Sequence, residues 1–170
     1  MFDITVTSFI RNLTNMRAVL DKAYAWQTSM NITDEAIMNA RLALDQFPLA
    51  KQVQLMSDFS KKAGALLCNV ETPSFEDNEK SIAELQARLD KTIAFLSTLS
   101  AETMATDLDT KMVPFKWVSG KGFIARYYIE SYSIPQFYFH YTTAYSILRH
   151  HGLPIGKQEF MGVLDLRDMA

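Results

Sequence analysis

The chain contains one cysteine, three histidines and six glycines in 170 residues. A lone Cys68 can form no internal disulfide, which excludes a cross-linked extracellular scaffold and fits a reducing compartment. No apolar run approaches the ~20 residues needed to span a bilayer. The opening MFDITVTSFI has an acid at position 3 and lacks the basic-then-apolar pattern of a secretory leader. The expectation is a soluble, cytoplasmic protein with no membrane partner. Positive charge is also scarce. Lys and Arg number 17 against 19 Asp and Glu, a net charge of -2, which argues against a broad nucleic-acid-binding face and leaves room only for a locally basic cleft. There is no glycine-rich phosphate loop and no internal repeat.

What is present is the patterning of a helical domain. Hydrophobic residues make up 48% and charged residues 21%, a balance that supports a packed core rather than disorder. The length suits one domain spanning residues 1–170. Val6, Phe9, Leu13, Met16, Leu20 and Ala23 recur at steps of three and four, predicting a first helix over roughly residues 5–29. A short helical turn capped by Thr33 or Asp34 is expected next. Phe47-Pro48 then opens a second long helix, with Leu49, Val53, Met56, Ala63 and Leu67 as its buried stripe. The polar run NVETPSFEDN connects it to a third, introduced by the capping pattern Ser81-Ile-Ala-Glu84 or capped one turn earlier by Asn78. That helix carries Ile82, Leu85, Leu89, Ile93 and Leu96 on one face and ends near Leu99.

After residue 100 the rhythm changes. KMVPFKWV partly alternates, with Val113, Phe115 and Trp117 on one side, and predicts an extended segment limited to an edge by Pro114. Ser119 is the expected cap of a short helix with Phe123, Ile124, Tyr127 and Tyr128 on one face. Pro135 disfavours helical geometry at Ile134 and suits the start of the last long helix. Gly152 and Pro154 end it, and the remaining tail is expected to pack as a short turn. The predicted fold class is therefore all-α: a four-helix bundle with a long connection, holding a short extended segment and a short helix, between helices three and four. That insert allows winding other than simple up-down-up-down.

All three histidines fall in FYFHYTTAYSILRHHG, on this last helix. His140 lies at the edge of a stripe made by Phe137, Tyr141, Ala144 and Leu148. It reads as a ligand or general base, or, as the pairing of buried polar groups favours, as a core histidine whose ring nitrogens are bonded inside the bundle. His150 and His151 lie about 15 Å further along the helix at about 1.5 Å per residue. Two nitrogens on one zinc are at most about 4.2 Å apart, so His140 and this pair cannot share an ion. At a helix C-terminus they fit a carbonyl-capping role. With no histidine on the other helices, a three-histidine site drawn from different helices cannot form. A one-histidine metal site would need Asp45, Gln52, Asp58 or Glu130, and the residues imply no metal and no cofactor.

Cys68 sits beside Leu66 and Leu67, an apolar setting that suits packing better than nucleophilic chemistry. The cluster Tyr127, Tyr128, Tyr132, Phe137, Tyr138, Phe139, Tyr141 and Tyr145 is dense enough to line a small-molecule pocket at one end of the bundle. Asp45 and Gln46 either cap the second helix or reach the mouth of such a pocket. Asp45, Gln52, Tyr138 and Tyr141 are thus the candidate ligand-pocket residues, with His140 as the candidate catalytic residue.

Three stretches, NARLALDQFPLAKQVQ (39–54), FEDNEKSIAELQARLDKTIAFL (75–96) and PQFYFHYTTAYSILRHHGLPIGKQEFMG (135–162), resemble an uncharacterised bacterial family of the DinB/YfiT-like superfamily. The resemblance implies a bundle of the metal-dependent kind, often dimeric, with three histidine ligands, one on helix two and two on the last long helix. Some members use the metal in thiol-transfer or hydrolytic reactions. Here only His140 matches a ligand position. Ala144 stands one turn on, and helix two offers Gln52 or Gln54. Three readings follow: a small-molecule-binding bundle that has lost the triad, an enzyme with an unorthodox metal site or with His140 as general base, and a non-catalytic homodimeric interaction protein. The first, with a homodimer as the expected assembly, is favoured.

Overall fold

The computed structural model describes residues 1–169. The first predicted stripe is realised in full. A wide helical turn, Asp3–Thr7, runs directly into α1, Ser8–Ser29. Val6, Phe9, Leu13, Met16, Leu20 and Ala23 are all buried. The short α2, Asp34–Met38, is capped by Thr33, whose hydroxyl accepts from the Ala36 N–H at 3.2 Å.

Helix α3, Leu49–Leu67, begins directly after Pro48, and Leu49, Val53, Met56, Ala63 and Leu67 are buried. Helix α4, Ile82–Ser97, starts at Ser81, whose hydroxyl accepts from Glu84 N–H. The Glu84 carboxylate reaches back one residue beyond the expected partner, to the N–H of Lys80.

The connection to the last long helix departs from expectation. Residues 122–124 are not helical. They form β2, Gly122–Ile124, paired antiparallel to β1, Met112–Pro114, with Val113 opposite Phe123. The helix capped by Ser119 is absent because the chain reverses there, through Gly120 at φ +70°. Since the strand stops at Pro114, Trp117 does not share a face with the buried Val113; it lies in the turn, 84% exposed.

A second correction concerns Pro135. Helix α5, Ala125–Tyr127, continues through a wide turn, Tyr128–Ser133, into α6, Ile134–His150, without a break. Ile134 is helical, at φ −62° and ψ −51°, despite the proline after it. The wide turn explains this. Its i to i+5 bonding needs no amide hydrogen at Pro135 and opens room for the ring.

Helix α6 ends in a Schellman turn. Leu153 N–H donates to Leu148 O at 3.1 Å and Gly152 N–H to Arg149 O at 3.2 Å, with Gly152 at φ +105°. No side chain of His150 or His151 bonds an α6 carbonyl among the described residues, so the histidine cap is replaced by a glycine one. His151 Nε2 instead approaches Arg41 O at 3.4 Å. Helix α7, Lys157–Met161, packs on α1, where Arg11 and Asn15 both donate to Met161 O. Beyond Gly162 the tail does not pack as expected: Val163, Leu166 and Met169 are almost wholly exposed.

Helix α1 packs against α4 and α6, and α3 packs against the same two. The successive long helices α1 and α3 therefore sit across a diagonal, an order that the long connection between α4 and α6 makes reachable. The contact between α3 and α6 is the most extensive in the molecule, and it positions the candidate site.

Candidate functional site

Gln52 lies in the first turn of α3, and His140 lies near the middle of α6. Both face the α3–α6 seam, where the Gln52 residue is 1% exposed and His140 5%. A buried amide beside a buried imidazole must be paired, and these two pair with each other: His140 Nδ1 and Gln52 Oε1 are 2.7 Å apart. The other end of the amide fixes its orientation, because Gln52 Nε2 donates to the carbonyl of Phe47 at 2.8 Å. The amide therefore offers only its oxygen to the ring. The proton is thus on Nδ1, and Nε2 carries a free lone pair. Nε2 has no partner among the described residues and is not sealed from solvent.

Burial, with the Lys51 charge nearby as a lesser cause, pushes the His140 pKa down to about 4. The ring is neutral near pH 7. It is held between aromatic neighbours, stacked on Phe59 with centroids 5.7 Å apart and planes 10° apart, and edge-to-face with Phe139 at 5.2 Å. Phe59 was not marked by sequence reasoning. Its position seven residues after Gln52 was the available signal, since that spacing returns to the same face of a helix. The Phe47 carbonyl carries no signal in the sequence at all.

The remaining candidates do not join this pair. The Tyr138 hydroxyl lies 2.7 Å from Ser8 Oγ and accepts from Asn12, against α1. Tyr141 is fully buried and its hydroxyl donates to Phe160 O at 2.6 Å, under α7. Burial, the main influence, raises its pKa to about 12, so it is a fixed donor and not a titrating group. Asp45 is exposed, without a hydrogen bond or ion pair among the described residues. Asp58 pairs with Lys61 and Arg88, and Glu130 loosely with Arg126. Gln54 donates to Glu79. Of the two glutamines considered, Gln52 is therefore the one that meets His140. Cys68 is a buried free thiol near Ser100 O, in keeping with a packing role.

One buried constellation was missed entirely. The Arg88 side chain, 1% exposed on α4, binds Asp58, Asp77 and Glu79 as well as the carbonyl of Glu76. Buried Lys61 binds Asp58 and lies 3.7 Å over the Phe75 ring. Together these contacts fasten the 69–80 connection to α3 and α4.

The three-histidine metal site implied by the resemblance can be tested against these atoms. Ala144, where a second α6 ligand would stand, is fully buried and has no donor atom. The one donor oxygen of Gln52 is committed to His140 Nδ1. The described residues contain no group of three or more His, Cys, Asp or Glu placed to hold an ion. The residues do not fit that site. Nor, among the described residues, is any helix long and apolar enough to cross a membrane.

Comparison with known proteins gives a consistent picture. Residues 1–161 match a family model described as a domain of unknown function, DUF1993. A search of curated proteins finds no match. A crystal structure described as a DinB family member protein from Shewanella denitrificans is 32% identical, with a TM-score of 0.91 over 99% of this chain and 95% of that one. The chain therefore belongs to DUF1993, a DinB-like family of unknown function.

Proposed function

We propose that this protein binds a small organic molecule beside His140, on a DinB-like four-helix bundle from which the superfamily's three-histidine metal site has been lost. One observation carries the reading. A neutral imidazole is oriented by Gln52 so that its free Nε2 lone pair is available to a hydrogen-bond donor of a ligand. Holding a tautomer through a second residue is how proteins prepare a histidine for a directed contact. The same geometry disfavours the general-base alternative, because a base with a pKa of about 4 removes protons poorly at neutral pH. A homodimer formed at the same end is part of the proposal, on the grounds that Phe47 and Phe139, which border the Gln52–His140 pair, are both more than half exposed.

The test uses untagged wild type and His140→Ala, purified without chelators. Metal content is read by mass spectrometry and small-molecule binding by ligand-observed NMR. Binding of organic fragments that is lost in the variant is the expected result. Near-stoichiometric transition metal in the wild type, lost in His140→Ala, would overturn the reading.

A further inference from the structure

A cleft of about 160 Å³, lined by the Phe59 ring that also stacks on His140, opens between α3, the hairpin turn and the wide turn before α6. Its walls are aromatic, formed by Phe59, Phe115, Trp117, Tyr128 and Tyr132. The rings brace one another: Phe59 and Phe115 each meet Tyr132 edge-on, at 5.8 and 5.9 Å. The polar lining consists of Lys62, Lys116 and Asp58.

The charges in this lining are unbalanced. The Asp58 carboxylate is already claimed by Lys61 at 3.0 Å and by Arg88 at 2.8 Å. Lys62, one turn along α3 from Asp58, has no carboxylate partner among the described residues. Its half-buried ammonium rests over the Tyr128 ring at 4.7 Å. Burial, and then the neighbouring charge of Lys116, lowers its pKa. Lys62 and the exposed Lys116 thus line one cleft without an ion pair among the described residues, whereas the buried cations nearby, Lys61 and Arg88, each have a carboxylate. Half-buried charge is costly unless paired, and a bound anion supplies the missing partner. The size is also informative. A cavity of about 150 Å³ takes a single benzene ring.

We propose that this cleft binds a small anion built on one flat ring, a single-ring aromatic carboxylate, with the ring against the aromatic walls and the carboxylate between Lys62 and Lys116. The inference goes beyond the reading at His140, which does not line this cleft; the two places share only Phe59. Phe59, shared between the cleft and the imidazole stack, would pass occupancy of one to the other.

Benzoate and benzamide are the probes, since they share a ring and differ in charge. Both are titrated into isotopically labelled full-length protein, with the ring resonances of Phe59, Tyr132 and His140 followed by NMR. Benzoate is expected to shift all three and to bind at least tenfold more tightly than benzamide. Lys62→Met with Lys116→Met, both at solvent-reached positions, is expected to reduce benzoate to the level of benzamide. Equal binding of the two probes, unchanged benzoate binding in the double variant, or no benzoate binding would overturn the proposal. His140→Ala separates the two readings. Charge-dependent benzoate binding that survives in it upholds the cleft as a site separate from His140. Fragment binding that is lost in it and indifferent to charge upholds the His140 site and overturns the cleft.

Discussion

The Oε1 of Gln52 and the Nδ1 of His140 meet at 2.7 Å across the α3–α6 seam, and the Phe47 carbonyl holds the amide so that only the oxygen faces the ring. That residue pair decides the tautomer and the exposed ring nitrogen of His140, while burial keeps the ring neutral.

The first consequence is a pH dependence of stability. In the unfolded chain His140 takes up a proton near pH 6.5, while the folded ring resists until about pH 4. Between these values the unfolded state binds more protons, so stability falls as pH drops through that window and the loss levels off below it. The full effect is up to about 3 kcal/mol. Denaturant unfolding at pH 7 and pH 4.5 is expected to show a steeper loss for wild type than for His140→Leu. The ring protons of His140 are expected to titrate near pH 4 by NMR; a midpoint above 6 would contradict the buried neutral ring.

Gln52→Glu probes the orientation of the pair. A carboxylate in the place of the amide oxygen favours the charged imidazolium, and the expected result is an upward move of the His140 pKa by about one to three units. The stability loss between pH 6.5 and pH 4 shrinks accordingly. Gln52→Leu leaves the Nδ1–H without a partner and costs about 1–3 kcal/mol at neutral pH. If both variants titrate as wild type does, Gln52 does not set the state of the ring.

How much of this was legible in the sequence follows from what each feature depends on. The stripes of α1, α3 and α4 depend on local periodicity, and their predicted members are buried almost without exception, Ile93 being only half-buried. The continuous helix through Pro135 depends on a widened turn upstream, a cooperative feature that no residue of SYSIP announces. Edge and core positions on α6 differ by about 100° per residue. Periodicity therefore put His140 at the edge of a buried stripe without saying that Tyr138 and Tyr141 turn away from it towards α1 and α7. The Gln52–His140 pairing joins residues 88 apart in sequence and needed the relative rotation of two helices, information that only packing supplies. Arg88 was missed because an arginine in QARLDK looks like any solvated helix charge; its burial is created by the 69–80 connection folding over it.

The end of α6 gives a contrast between two residue types. Gly152 sits at φ +105°, where any side chain is strained, although a Cβ there would meet only Trp26 at an ordinary 3.6 Å. Conformation alone then makes Gly152→Ala destabilising, by about 1 kcal/mol. His150→Ala and His151→Ala together remove exposed rings that bond no α6 carbonyl, and are expected to change stability by less than about 0.5 kcal/mol. Thermal unfolding of the two variants checks the order, and a larger loss in the histidine double variant would restore the capping role to the side chains.

The buried ion network makes the largest single prediction. Arg88 is the one group that touches Asp58, Asp77 and Glu79 together. Asp58 retains Lys61 if the guanidinium is removed, and Asp77 retains Lys51. Glu79 is left with only the Gln54 amide. Arg88→Met therefore strands chiefly one nearly buried carboxylate, and removal of one partner from a buried pair costs about 3–5 kcal/mol. The same network has a pH signature. Burial works to raise the pKa of Glu79 and of Asp77, but the bonds to Arg88, with Gln54 and Lys51, outweigh it and hold both below their ordinary range. A carboxylate depressed in the folded state contributes stability above its unfolded pKa and loses it as pH falls through the folded one. Wild type is thus expected to lose this contribution below about pH 4.5, near the ordinary carboxylate pKa values. In Arg88→Met the contribution is already gone at neutral pH and the acid slope is shallower. Urea unfolding of both proteins at pH 7 and pH 3.5 measures this. An Arg88→Met variant as stable as wild type at pH 7 would show that the 69–80 connection is held by its packing and not by its charges.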